Sequence, residues 1–146
     1  MNSMNDKDAL EFIDTNILVY AHDSSAGSKH ERAKGLVKDL WGSQKGCLSI
    51  QVLQEFYVNV TSKVSIPLEK ETAKQIITAL SSWRVHAPVI KDVLSSIDLH
   101  LRYGISFWDA MILQSAAQLG CQVVWSEDLN PGQVYNGLHV LNPFLD

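Results

Sequence analysis

The chain has 146 residues, a length that corresponds to about one domain. Its composition, with 46% hydrophobic and 19% charged residues, is typical of a globular protein and excludes a disordered or fibrous one. The net charge of −4, from 12 Lys and Arg against 16 Asp and Glu, excludes a protein that coats polyanions through a basic excess. It does not exclude binding of nucleic acid, because the acidic residues can be clustered at one site.

Short apolar runs alternate with helical patterns along the chain. In chain order we predict a strand at Leu10–Ile13, a helix from Ser28 to about Trp41, a strand at Gly46–Ser49, a helix up to the Ile66-Pro67 break, a helix at Leu68–Ser81, a strand at Trp83–His86, helices at Val89–Arg102 and Ser106–Leu119, and strands at Gln122–Trp125 and Leu138–Leu141. Ser28-x-x-Glu31 has the pattern of a capping box, and Ser49 is placed to cap the helix that follows it.

Short apolar strands separated by helices predict an α/β fold, a three-layer α/β/α sandwich around a mostly parallel sheet. No linker, repeat or low-complexity tract interrupts the chain, so we predict a single domain over residues 1–146. The polar, acidic start does not have the pattern of a signal peptide, and the longest apolar stretch, residues 17–21, is far short of the roughly 20 residues of a membrane helix. Cys47 and Cys121 are expected to be buried, reduced thiols, and we expect a cytoplasmic protein with no membrane association.

Most acidic residues are expected at the surface, among them Asp6, Asp8, Glu69, Glu71 and Asp92. Four others occupy positions that favour burial. Asp14 interrupts the apolar run 12–20, and Glu55 lies at the margin of a helical apolar stripe. Asp109 has apolar residues at i+3, i+4 and i+7, and Asp128 follows the apolar strand that ends at residue 125.

An unpaired buried carboxylate costs several kcal/mol, so these four residues need an explanation. Ligands bind at the carboxyl ends of parallel strands, where Asp14 and Asp128 are both predicted to lie. Four carboxylates in segments without a basic residue favour a site for Mg²⁺ or Mn²⁺, which prefer oxygen ligands. Such a site can stabilise the charge that develops on a phosphodiester during in-line attack by water.

Each carboxylate also has a purely structural interpretation. Ser106-x-x-Asp109 is a capping-box pattern, and Asp14 could cap a helix that follows its strand. Glu55 could be an ordinary surface residue, and Glu127-Asp128 could belong to a turn. These interpretations are each reasonable, but all four must hold at once to remove the site.

The segments around the four acidic residues resemble the motifs of PIN-domain nucleases. Phe12-Ile13-Asp14-Thr15-Asn16-Ile17-Leu18 resembles the first motif, Ser49 followed by Glu55-Phe56 the second, Ser106-Phe107-Trp108-Asp109-Ala110-Met111-Ile112 the third, and Ser126-Glu127-Asp128-Leu129 the fourth. Their order and spacing fit over residues 10–144, and the compact length is most similar to VapC-like toxins of type II toxin–antitoxin modules.

The resemblance implies a metal-dependent endoribonuclease with an α/β/α sandwich. It implies that Mg²⁺ or Mn²⁺ is held by Asp14, Glu55, Asp109 and Asp128, supported through hydrogen bonds by Asn16, Thr15 and Ser126. Activated water would attack phosphorus and leave 5′-phosphate and 3′-hydroxyl ends. The resemblance also implies a homodimer and a cognate antitoxin whose tail lies over the active site. Glu127 adjoins Asp128, and we choose Asp128 because the family places the ligand second in that pair.

Other functions remain open at this point. A phosphatase of the haloacid dehalogenase type wants a second acidic residue two positions after the first, where this chain has Asn16. A ribonuclease H-like nuclease begins with adjacent antiparallel strands, which the alternating pattern does not supply. A phosphoacceptor receiver uses a late-strand lysine, and no lysine occurs after Lys91. A non-toxin PIN nuclease or a catalytically weak RNA-binding PIN module are the nearest alternatives.

Substrate binding has weaker signals. Residues 29–45 carry five basic and two acidic side chains, so Lys29, Arg32, Lys34 and Lys38 are candidates for contacting an RNA backbone, although a solvated helix face is the more conservative interpretation. Trp41, Trp108 and Tyr20 could stack on bases, but core packing is the more conservative expectation for aromatic residues in such patterns.

Overall fold

The structure, a computed structural model, describes residues 8–145. The predicted surface position of Asp6 and the outermost ends of the predicted domain, residues 1–7 and 146, lie outside the described residues.

Strands and helices alternate as the sequence predicts. The strands are β1 (Glu11–Ile13), β2 (Gly46–Ser49), β3 (Arg84–His86), β4 (Val123–Trp125), β5 (Val134–Tyr135) and β6 (Leu138–Leu141). The helices are α1 (Thr15–His22), α2 (Ser28–Ser43), α3 (Ile50–Ser62), α4 (Lys70–Leu80), α5 (Ile90–Tyr103) and α6 (Phe107–Gln118). None of these described helices is both long and apolar enough to cross a membrane.

The strands form one sheet in the order β3-β2-β1-β4-β6-β5, parallel throughout except for β5, which runs antiparallel to β6. Right-handed crossovers place the helices of the β1–β2 and β2–β3 connections on one face and those of the β3–β4 connection on the other. Packing agrees, because α1 contacts α2 and α3 whereas α5 contacts α6. The predicted three-layer α/β/α sandwich is therefore confirmed.

The strand order reverses between β1 and β4, because β2 and β3 follow β1 on one side whereas β4 lies on its other side. β1 and β4 are adjacent and parallel, with Ile13 opposite Trp125. This is the topological switch point at which open parallel sheets bind ligands beyond their carboxyl ends. The central strands are apolar on both faces, as a fully covered sheet requires, with Phe12, Ile13, Leu48 and Val124 completely buried. The switch point thus sits on a rigid, well-packed base.

Several local predictions were wrong. The sequence suggests α1 only as a helix that Asp14 could cap, because this segment is too apolar to show helical periodicity. The two-residue strand β5 is not predicted from the sequence. The capping box at Ser28 does not form, since α2 begins at Ser28 itself and Gly27 precedes it with φ of 64°. By contrast, the Ser49 hydroxyl does cap α3 by accepting a hydrogen bond from the backbone N–H of Val52.

Asp92 was expected at the surface and is instead buried at the start of α5. Its carboxylate accepts hydrogen bonds from the Val89 backbone N–H at 2.9 Å and the Gln114 amide at 3.1 Å, and His86 Nε2 lies 3.3 Å away. These donors lower the pKa of Asp92, the Val89 bond most strongly, and they compensate for burial. The cluster fastens α5 to α6 and to the end of β3.

Candidate active site

Asp14 lies directly after β1, at the carboxyl end of the sheet, and is 6% exposed. It is the N-cap of α1, and its Oδ1 accepts a hydrogen bond from the Thr15 backbone N–H at 2.7 Å. The structural interpretation of Asp14 as a helix cap is therefore correct in itself. The cap uses Oδ1 and leaves Oδ2 facing β4, so capping and a role in a site are compatible.

Ser126 lies directly after β4 and holds the other oxygen of Asp14. Because β1 and β4 are in parallel register, the Ser126 hydroxyl reaches Asp14 Oδ2 at 2.8 Å. The same Ser126 oxygen accepts hydrogen bonds from the backbone N–H groups of Asp128 and Leu129 at 3.2 and 3.3 Å. One fully buried hydroxyl thus orients Asp14 and also shapes the turn that carries Asp128.

The remaining side chains of the first motif hold two further carboxylates. Thr15 Oγ1 donates to Glu55 Oε1 at 2.6 Å, which fixes the partly buried Glu55 on the second turn of α3. Asn16 Nδ2 donates to Asp128 Oδ2 at 2.7 Å. Of the four predicted ligands, this short segment after β1 therefore supplies Asp14 itself and holds Glu55 and Asp128 by hydrogen bonds.

Glu127 points away from this cluster. It accepts hydrogen bonds from the Tyr20 hydroxyl at 2.8 Å and from the Lys29 ammonium. The Lys29 Nζ also lies 5.1 Å from the centre of the Tyr20 ring and 5.3 Å from that of Phe144. This geometry supports the choice of Asp128 over Glu127 as the residue that faces the site.

Asp109 lies on the first turn of α6, where the helix emerges from the core. The Ser106 hydroxyl accepts a hydrogen bond from the Asp109 backbone N–H at 3.0 Å, so Ser106 caps the helix as its pattern suggested. The cap occupies the Asp109 backbone, while the Asp109 side chain is half-buried and borders the same cavity as the other three carboxylates.

All four predicted acidic residues line one cavity of about 440 Å³. It opens beyond the carboxyl ends of β1 and β4, between α1, α3 and α6. Its lining consists of Asp14, Thr15, Asn16, Gln51, Gln54, Glu55, Val58, Asn59, Lys63, Trp108, Asp109, Ile112 and Asp128. The fold therefore brings residues that are separated by up to 114 positions in sequence to one cavity.

Two of these carboxyl groups, Asp14 and Asp109, have pKa values above the ordinary value for aspartate. Burial raises the pKa of Asp14 to about 6, with smaller contributions from the charges of Asp109 and Asp128, and the bonds from Ser126 and Thr15 oppose the rise. Burial likewise raises the pKa of Asp109, assisted by the charges of Asp128 and Glu55. A cation placed among them would relieve both the burial penalty and the mutual repulsion.

The donor chemistry of this cavity fits a hard divalent cation. Its potential charged ligands are carboxylates only, with amide and hydroxyl oxygens beside them, the ligand set that Mg²⁺ and Mn²⁺ prefer. Within residues 8–145, however, no three acidic, histidine or cysteine side chains lie close enough together to enclose an ion. Coordination would therefore require side-chain rotation of the exposed Asp128 or the half-buried Glu55 and Asp109.

The predicted RNA-contacting residues lie on α2 and do not line this cavity. Lys29 contacts Glu127, as described above. Arg32 borders a separate shallow cavity that includes Trp125 and Pro143, and Lys34 and Lys38 are exposed on the helix surface. A role for these four in substrate binding remains a prediction.

Sequence reasoning missed other lining residues, Gln51, Asn59 and Lys63. They recur every four residues together with Glu55, so they share one face of α3, and this polar ladder was available as a signal. Trp108 was assigned by default to the core, yet 62% of it is exposed at the cavity. The residues that follow it are buried from residue 110 onward, so the sequence pattern does not indicate that a residue on the first helical turn is exposed.

Solved structures of bacterial toxins share this fold. A toxin–antitoxin complex from Klebsiella pneumoniae has 20% identity and a TM-score of 0.68, over 92% of this chain and 98% of the other. VapC20 from Mycobacterium tuberculosis, described as a toxin that cleaves the sarcin–ricin loop, has 19% identity and a TM-score of 0.62, over 81% of this chain and 89% of the other. VapBC2 from Rickettsia felis, bound to a promoter DNA fragment, has 19% identity and a TM-score of 0.63, over 91% and 98%.

At such identities the likeness shows the fold alone. No curated protein sequence matches this chain. The family model of the PIN domain, however, matches residues 12–136, most of the chain and all four acidic segments. The chain therefore belongs to the PIN domain family.

Proposed function

We propose that this protein is a divalent-metal-dependent endoribonuclease that acts as the toxin of a toxin–antitoxin pair. The observation that carries the proposal is the convergence of Asp14, Glu55, Asp109 and Asp128 on one cavity at the switch point of the sheet. Membership of the PIN domain family and the shared fold with solved toxins support the same function.

Asp14, Glu55, Asp109 and Asp128 would hold Mg²⁺ or Mn²⁺ as catalytic and metal-binding residues. A bound cation would supply positive charge against the negative charge that develops on the phosphodiester during in-line attack. The carboxylates orient the attacking water by accepting its hydrogen bonds, and displacement at phosphorus leaves 5′-phosphate and 3′-hydroxyl ends.

Asn16, Thr15 and Ser126 are positioning residues in this proposal. Each donates one hydrogen bond to one carboxylate, at 2.7 Å to Asp128, 2.6 Å to Glu55 and 2.8 Å to Asp14. Each bond restricts rotation of an acidic side chain that repulsion would otherwise turn away. Asn16 also stands where a haloacid dehalogenase-type phosphatase needs its general acid, and an amide cannot supply that proton.

The proposed partners are a cognate antitoxin and a second copy of this chain. Two of the solved structures are toxin–antitoxin assemblies, which supports an antitoxin partner. A homodimer is supported by α5, on which Ile90, Leu94, Ile97 and Leu101 are 75, 59, 39 and 74% exposed. Their spacing forms one apolar stripe, which a monomer would leave in water. We propose the cytoplasm as the site of action, because the RNA substrate is there.

The proposal is tested by incubating the purified protein with total RNA in Mg²⁺, in Mn²⁺ or in chelator. We expect cleavage with either metal, products whose 5′ ends carry phosphate, and loss of cleavage in the Asp109→Asn variant. Asp98→Asn, an exposed carboxylate on α5, is the matched control and should cleave normally. Cleavage that persists in chelator or in Asp109→Asn would refute the metal-site mechanism. Absence of cleavage with both metals, together with retained RNA binding, would favour an RNA-binding PIN module instead.

A further inference from the structure

Trp108 presents an exposed indole at the edge of the acidic cavity, with 62% of its surface accessible. The ring packs edge-on against Phe107, with centroids 5.2 Å apart and planes inclined by 72°, which limits its rotation. Asp109 is the next residue, so the indole is fixed one position from a proposed catalytic carboxylate. An oriented, solvent-exposed aromatic face beside such a site is suited to stacking on a planar ligand group.

Lys63 supplies positive charge at the same cavity. Among the described lining residues it is the one basic side chain, and the lining also holds four carboxylates. It lies at the end of α3, eight residues after Glu55 and thus roughly 12 Å farther along the helix axis. That separation places the Lys63 backbone beyond the acidic cluster, so its side chain is available to a neighbouring phosphate on the same strand.

Gln51 links Trp108 to α3 and has an unused acceptor. Its Nε2 donates to the Trp108 carbonyl at 3.3 Å, which fixes the orientation of the amide. Its Oε1 is buried and has no hydrogen-bond partner within the described part of the chain. A small rotation of Gln51 on ligand binding would let Oε1 accept a hydrogen bond from an N–H group, and the edge of a nucleobase provides such donors.

We propose that a single RNA strand crosses this cavity with one unpaired base stacked on Trp108 and a neighbouring phosphate paired with Lys63. This inference rests on the proposed function and makes Trp108 a specificity-determining residue. In duplex RNA the faces of the bases are stacked on one another, so only unpaired RNA offers a face to the indole.

Binding is measured by fluorescence anisotropy with a labelled, unstructured oligoribonucleotide in Mg²⁺, in an Asp109→Asn background that leaves the strand intact. Trp108→Ala should weaken binding about 5-fold to 150-fold, the factor equivalent to stacking worth 1–3 kcal/mol per base. Trp41→Ala is the matched control, because Trp41 is also exposed but packs on Trp83 at the amino-terminal edge of the sheet. An equal loss in both variants would overturn the proposal.

A strand of the same length without bases separates stacking from other effects of Trp108. The protein with Trp108 intact should bind this abasic strand as weakly as Trp108→Ala binds the normal strand, and Trp108→Ala should not weaken abasic binding further. Additive losses would mean that Trp108 acts through protein structure or through a protein partner, and they would refute stacking. Equal affinity for the normal strand and its duplex would refute it as well.

Lys63 has its own readout, the salt dependence of binding. Lys63→Gln should reduce the slope of log Kd against log salt concentration by about 0.7, the value for one phosphate contact on a single strand. Lys74→Gln, on α4 and lining a different cavity, should leave the slope unchanged. An unchanged slope in Lys63→Gln would remove the phosphate contact from the proposal.

Cleavage assays distinguish the two levels of inference. If the unmodified protein cleaves RNA with metal but binds abasic and normal strands alike, the stacking proposal fails and the nuclease proposal stands. If it binds RNA through Trp108 and never cleaves it, the stacking proposal stands and the catalytic one fails.

Discussion

Replacing Asp14 by asparagine should stabilise the metal-free protein at neutral pH while it abolishes the proposed activity. The folded protein raises the pKa of Asp14 from 3.8 to about 6, chiefly because the carboxylate is buried. At neutral pH the side chain is therefore ionised at an energetic cost. Asparagine has nearly the same shape and carries no charge.

The magnitude follows from the pKa change. A rise of about two pKa units, at about 1.4 kcal/mol per unit, corresponds to about 3 kcal/mol of destabilisation well above pH 6. The variant loses part of this gain, because the Ser126 hydroxyl no longer has a carboxylate as its acceptor. The Ser126 oxygen already accepts hydrogen bonds from two backbone N–H groups, so it is poorly placed to accept another from the asparagine amide. The loss of one such hydrogen bond is about 1 kcal/mol. We expect a net gain of about 2 kcal/mol, which raises the Tm by about 4–8 °C.

The gain must depend on pH with a definite sign. The folded protein binds the Asp14 proton more tightly than the unfolded chain does. Protonated Asp14 therefore contributes most to the free energy of unfolding below about pH 3.8, and this contribution is lost as the pH rises through about 6. The difference between variant and unmodified protein should therefore be largest above pH 7 and small near pH 4.

Thermal unfolding in chelator at several pH values measures this difference. Asp98→Asn, which removes an exposed carboxylate, should change the stability by less than about 0.5 kcal/mol at each pH. A less stable Asp14→Asn variant at pH 7.5, or a difference that stays constant down to pH 4, would refute the account of a buried, strained carboxylate.

The remaining predictions concern the metal, the buried Asp92, the close packing at Gly46 and the proposed homodimer. Millimolar Mg²⁺ or Mn²⁺ should raise the Tm of the unmodified protein, and the rise should be absent in Asp109→Asn; identical metal-dependent shifts in both would contradict the proposed ligand set. Asp92→Asn should destabilise the fold by about 2 kcal/mol above pH 6 in urea titrations, because an ionised Asp92 stabilises the fold. The difference in stability between the variant and the unmodified protein should shrink as the pH falls through the lowered pKa of Asp92. Gly46→Ala should cost about 1–3 kcal/mol in the same titrations, because its Cβ would lie 2.4 Å from the Trp83 ring, whereas Gly35→Ala has open space around it and should not destabilise α2. Leu101→Glu should convert the proposed homodimer to monomer in light scattering, and an unchanged mass would exclude the α5 stripe as the interface.

Residue patterns predicted the architecture because apolar strands in a covered parallel sheet are recognisable without tertiary information. The four acidic positions were singled out for a related reason, since each interrupts or adjoins an apolar pattern. Patterns failed where tertiary contacts override local preference. Asp92 has an ordinary first-turn position in α5, and its contacts with Gln114 and His86, from other elements, help to compensate for its burial but leave no local signal in the sequence.

The cavity residues that sequence reasoning missed share another cause. Lys63 and Gln51 are common surface types on a helix, and nothing local tells which face of α3 borders the cavity. Trp108 lies on the first turn of α6, which is buried from residue 110 to 116, so its hydrophobicity alone favours the core. The exposure of its ring depends on where α6 emerges from the fold.

The pairing of β1 with β4 also determines when the cavity can exist during synthesis. Asp14 and Ser126 are separated by 112 positions and meet only across these neighbouring strands. A nascent chain must therefore expose residues 14–126 beyond the ribosome before the first carboxylate acquires its hydroxyl partner. Prematurely terminated chains that end before residue 126 lack both the Ser126 hydroxyl and the fourth carboxylate. Any activity of this cavity is thereby confined to chains in which residues 14–128 have all been synthesised.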